Sequence, residues 1–122
     1  MQSLLNVFQV IIALGILNVW LLRFGKSTTW RGGDAQNMQE EFAVYGLPLW
    51  FMRVIGLMKV SFATLLLAGV WIPGVTLYGA VGMVALMTGA VAMHIKVKDP
   101  LRKSLPALSM LGLSIFVAVA AS

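Results

Sequence analysis

From Trp50 to Ile72 the chain carries only apolar, small and hydroxyl side chains, apart from Arg53 near one end and Lys59 close to the middle. A helix needs about 20 such residues to cross the roughly 30 Å hydrocarbon core of a bilayer. Inside that core the backbone must pair every N–H and C=O within the segment, which makes a helix the only open course for a single run. A lysine at the centre of such a helix costs roughly 2.5–3.5 kcal/mol on an insertion scale, so Lys59 is expected to face a bundle interior, a water-filled cavity or a partner. The rest of the chain must supply that interior.

It has the material to do so. Of the residues, 60% are hydrophobic and only 11% charged, against roughly 25% charged in soluble domains. Apolar runs fall at about 3–22, 49–72, 75–95 and 104–121. The expected fold is an all-α integral membrane protein, a four-transmembrane-helix antiparallel bundle forming a single domain over residues 1–122. The N-terminal run lacks a basic leader and a small-residue cleavage site, so it is expected to be a retained span. A short amphipathic interfacial helix is expected between the first two spans, because Met38, Phe42 and Tyr45 recur at helical spacing with Glu40 and Glu41 beside them. Asp34 is a candidate N-cap for it, and Gly46 followed by Pro48 a candidate stop.

Charge then orients the bundle. Arg23, Lys26 and Arg31 lie in one connection and Lys96, Lys98, Arg102 and Lys103 in another, whereas the Trp71–Gly74 turn and both tails hold no Lys or Arg. By the positive-inside rule both termini are expected outside, in a bacterial inner membrane, with Trp20, Tyr45 and Trp50 at the inner interface and Trp71 and Tyr78 at the outer one. The basic residues form no single face, which argues against nucleic acid as a partner.

The chemistry open to such a chain is narrow. Cysteine is absent, and Asp34, Glu40, Glu41 and Asp99 all lie outside the spans. No span therefore holds a carboxylate pair, a catalytic triad or a metal cluster. His94, the sole histidine, is not expected to bind metal alone. The second span places Gly56, Ala63, Leu66 and Val70 on the stripe of Lys59. The third places Gly82, Ala85, Gly89 and Ala92 on one seam for close helix approach, and Met83, Met87, Ala90 and His94 on another stripe. Arg53 reads as a topogenic arginine or as a ligand for an anionic head group.

Residues 40–59, EEFAVYGLPLWFMRVIGLMK, and 79–108, GAVGMVALMTGAVAMHIKVKDPLRKSLPAL, resemble the DoxX-like family of small four-helix membrane proteins. The features that carry the likeness are Phe42, Tyr45-Gly46, Pro48, Gly56, Lys59, Gly89-Ala90, His94 and Pro106. The resemblance implies a bundle that is often an accessory partner of redox systems, its founding branch linked to a thiosulfate:quinone oxidoreductase.

Two functions follow as expectations. The first is a membrane accessory or scaffold protein associated with a redox system, a non-catalytic subunit of a quinone-linked oxidoreductase that docks another membrane protein or itself. The alternative is a quinone- or lipid-binding protein with a polar pocket inside the bundle. In that pocket Asn18, Arg53, Lys59 and His94 converge under Phe42 and Tyr45, Met83 and Met87 contact an apolar tail, and the opposite half offers only apolar and small residues.

Overall fold

The computed structural model describes residues 2–26 and 31–122. Four helical segments are long and apolar enough to cross a membrane, at Gln2–Leu22, Leu49–Ala68, Pro73–Lys96 and Leu101–Ala121. The first is α1 (Gln2–Leu17) continued by a π-helical turn, Asn18–Leu22. A short helix, α2 (Met38–Val44), precedes the second span, α3 (Leu49–Ala68). A 3-10 turn, Pro73–Val75, leads into α4 (Thr76–Lys96), and α5 (Leu101–Ala121) closes the chain. The spans pack as a ring in the order α1, α3, α4, α5 and back to α1.

Neighbours in the ring are antiparallel. Trp20 of the π-helical turn meets Gly56 of α3, while Gln9 of α1 bonds to Leu66 at the far end of α3. Helices α3 and α4 approach closely, where a Cβ at Gly79 would lie 3.0 Å from the Phe62 carbonyl oxygen and 3.1 Å from Leu65 Cβ. Ile12, Ala13, Ala63, Leu66, Ala80, Met83 and Val117 fill the centre with no exposed surface.

Several boundaries differ from the sequence reading. The second span ends at Ala68 rather than near Ile72, because Ile72 precedes Pro73 and takes an extended conformation (φ −126°, ψ 82°). The last span begins at Leu101, since Pro100 serves as its extended N-cap. Asn37, not Asp34, caps α2, its side chain accepting from the Glu40 N–H at 2.8 Å. Trp20 and Tyr45 are buried within the protein: the Trp20 ring occupies the space over Gly56, and the Tyr45 hydroxyl bonds inward. Trp50, Trp71 and Tyr78 remain exposed, as interfacial aromatics do.

The inward face of α4 is the methionine stripe, with Gly79, Ala80, Met83, Met87 and His94 buried. Of the small-residue seam, Gly82 packs against the Phe62 ring of α3, which lies 2.5 Å from where its Cβ would be, whereas Ala85, Gly89 and Ala92 point outward and nothing lies within 4 Å of a Cβ placed on Gly89.

The half of the bundle remote from α2 is not purely apolar either. Gln9 is fully buried and donates to Leu66 O at 2.8 Å and to Thr76 Oγ1 at 3.3 Å. Because α3 stops at Ala68, Val70 N bonds to Leu67 O and Leu66 O is left without its helical donor. Gln9 provides that donor, an interhelical cap on one of the last-turn carbonyls.

Candidate functional site

At the end of the bundle that carries the basic connections, α2 lies against α3, and its buried residues Met38 and Phe42 join the core. Tyr45 ends α2, and from it a chain of charged and polar groups crosses to the far side of the bundle. Arg31 Nη1 donates to Glu41 Oε2 at 2.9 Å, and the Tyr45 hydroxyl donates to Glu41 Oε1 at 2.8 Å. The Tyr45 hydroxyl also lies 3.4 Å from His94 Nε2, and His94 Nδ1 is 2.7 Å from Asp99 Oδ2. Asp99 Oδ1 accepts from the Gly33 N–H at 3.0 Å, and Lys103 donates to the Gly33 carbonyl. Lys96 Nζ adds a bond to Tyr45 O at 2.8 Å.

The cluster is shielded: side-chain exposure is 4% for Arg31, 13% for Glu41, 7% for His94 and 5% for Asp99. Shielding strengthens each pair and makes every missing partner costly. Tyr45 has a single hydroxyl proton. With that proton on Glu41, the phenol oxygen is left to face His94 Nε2 through its lone pairs.

Two titrations follow from this packing. Burial, reinforced by the Glu41 carboxylate and its hydrogen bond, pushes the Tyr45 phenol above its ordinary range. For Asp99 burial alone would raise the carboxyl, but the Gly33 N–H, His94 and Lys103 outweigh it and hold the group below its ordinary value. A carboxylate depressed in the folded state contributes stability in full above its unfolded value, about pH 4, and loses it as pH falls through the lower folded value. Thermal unfolding in detergent should therefore show an acid-induced loss of stability below about pH 4 that is visibly smaller in Asp99→Asn; an identical acid profile in the two proteins would remove Asp99 from that role.

Lys59 sits at the other end of an aromatic chain. Its Nζ lies 5.4 Å from the centroid of the Trp20 ring. Trp20 packs edge-on to Phe42 at 6.0 Å, Phe42 contacts Tyr45 at 6.1 Å, and Tyr45 contacts His94 at 5.8 Å. Among the described residues no carboxylate oxygen lies within 4.0 Å of Lys59. The ring face gives an ammonium roughly 0.5–2 kcal/mol, less than or comparable to the insertion cost of a central lysine. Lys59→Met is thus expected to leave the melting temperature unchanged or to raise it while impairing function; a marked drop in a thermal-shift assay would show that the ammonium holds the bundle together.

Of the residues expected at a pocket, the structure brings Phe42, Tyr45 and His94 into contact and sets Lys59 one aromatic ring away. Met83 and Met87 lie in the core at 0% and 3% exposure. Arg53 stands apart on the exposed side of α3, and Asn18 takes part through its backbone, whose oxygen accepts from Arg23 N at 2.9 Å to close the π-helical turn. A ligand head group at His94 would have to displace Tyr45 or Asp99. The sequence reading missed the acids: Glu41 stands four residues before Tyr45 on one helix face, a legible pairing, and Asp99 five after His94. Arg31 had no local signal at all. Among the described residues no group of three His, Cys, Asp or Glu side chains is placed to hold a metal.

A helical bundle with membrane-length spans, one intramembrane lysine and a buried polar cluster at one end defines a small integral membrane protein of the four-span type. Residues 7–119 match the DoxX-like family, nearly the whole chain, and the protein belongs to that family. No curated protein and no solved structure matched it.

Proposed function

We propose that this chain is a non-catalytic accessory subunit that docks another membrane protein, with the redox association that the family resemblance implies. The observation that carries the reading is the outward small-residue seam of α4. Ala85, Gly89 and Ala92 are exposed although Gly79 and Ala80 already provide the close approach within the bundle. Small residues let a neighbouring backbone come near enough for dense van der Waals contact, the main source of helix association in lipid. The buried cluster supports the same view, since its groups hold α2 and the connections in place.

The chain has no cysteine, so Gly89→Cys provides a unique handle. Crosslinking in native membranes should give an adduct with a second membrane protein, while Trp71→Cys at the opposite interface should not. An adduct with only a second copy of the chain would make the seam a self-association face, and no adduct would remove the docking reading. The orientation proposed with it has both termini outside a bacterial inner membrane. A reporter fused at Ser122 should be active as a periplasmic-type enzyme, and a cytoplasmic-type signal would reverse the orientation.

A further inference from the structure

A groove of about 500 Å³ runs along the outside of the bundle between α3 and the π-helical turn. Its floor is Trp20, Gly56 and Val60, and its mouth carries Arg53 and Gln39. The groove exists for two local reasons. The widened turn at Asn18–Leu22 brings the Trp20 ring inward, and the missing side chain at Gly56 makes room for that ring against α3; a Cβ there would be 2.5 Å from the ring.

We propose that this groove binds one anionic phospholipid, its phosphate on Arg53 and one acyl chain along Trp20, Gly56 and Val60. The guanidinium is exposed and, among the described residues, makes no ion pair or hydrogen bond. Arg53 lies four residues inside the start of α3, about 6 Å along the axis, at head-group depth for a snorkelling arginine. From Arg53 to Val60 is about 10 Å of helix, the reach of a partial acyl chain laid toward the bilayer centre. A fixed fork of N–H donors matches a phosphate bidentately, whereas a neutral carbonyl head group would leave the positive charge without a counterion. The basic connections at the same end add attraction for anionic lipid. This site is separate from the α4 seam and does not depend on the docking reading.

The test is native mass spectrometry of the full-length protein in mild detergent, titrated with phosphatidylglycerol or phosphatidylcholine of the same chain length. Wild type should bind one phosphatidylglycerol at least tenfold more tightly than phosphatidylcholine. Arg53→Gln should abolish the preference, and Leu57→Trp, which fills the groove from an exposed position, should weaken both lipids. Thermal unfolding of both variants should match wild type, since neither residue is buried. Equal binding of the two lipids, or a preference unchanged in Arg53→Gln, would mean adventitious annular lipid only. Free glycerol phosphate competing as well as the lipid would show that the acyl chain has no place in the groove, and displacement by a short-chain quinone equally in wild type and Arg53→Gln would assign it to a neutral amphiphile; either result overturns the proposal.

Discussion

Arg31→Met is expected to destabilise the protein by about 3–5 kcal/mol, the cost of leaving one member of a buried ion pair without its partner. Arg31 is 4% exposed, and its guanidinium makes more than the bond to Glu41. Nε donates to Lys26 O at 2.9 Å and Nη2 to Arg23 O at 2.6 Å, so one planar group ties the end of the first span to α2. Without it Glu41 keeps, among the described residues, the Tyr45 hydroxyl and the Gly32 N–H as donors, and the Lys26 and Arg23 carbonyls each lose a charged donor. Arg31→Lys is expected to recover less than half of the loss, because a single ammonium cannot reach that many acceptors in the fork geometry. Chemical unfolding in detergent micelles measures both variants. A Lys variant as stable as wild type would reduce Arg31 to a point charge, and a Met variant within about 1 kcal/mol of wild type would make the cluster marginal to stability.

The second large effect is expected at Gly79. A leucine there would press its Cβ onto the Phe62 carbonyl oxygen at 3.0 Å and onto Leu65 and Leu66, where α4 meets the backbone of α3. Backbone cannot move aside as a flexible side chain can, so Gly79→Leu should cost about 1–3 kcal/mol or more through overpacking. Gly89→Leu is the matched control, because nothing lies within 4 Å of a Cβ at that position. Gel-filtration recovery and melting temperature should fall for the first and hold for the second. Equal behaviour of the two would mean that the helices separate at little cost.

The contrast between those glycines shows where sequence reasoning stops. Both lie in the same apolar helix, and three-four spacing places Gly82, Ala85, Gly89 and Ala92 on a seam that any close approach could use. Periodicity says which residues share a face of α4. It does not say which face meets a neighbour, because in lipid an outward face is as apolar as an inward one. The packing turns the methionine stripe inward, with Gly79 and Ala80 at its head, and leaves Ala85, Gly89 and Ala92 of the seam outside while Gly82 stays against Phe62.

The polar groups divide in the same way. That Lys59 lies mid-span without an acid in any span, and that Tyr45 and His94 stand near one end, was legible from spacing and depth. The partners of Tyr45 and His94 were not, since Arg31 and Gly33 come from a connection without helical period, and Asp99 reaches His94 only once Lys98 turns the chain through a positive φ of 58°. Gln9 carried no signal of its role because the carbonyl it caps is left without a helical donor only where α3 ends.

Four spans, an interfacial helix and the bias of basic residues toward one end were determined by the sequence alone, since each follows from hydrophobic length, amphipathic period and charge placement. Only the tertiary structure decided which stripe of each span faces inward and which donor meets which acceptor, because those choices depend on side chains far apart in the chain arriving at one depth.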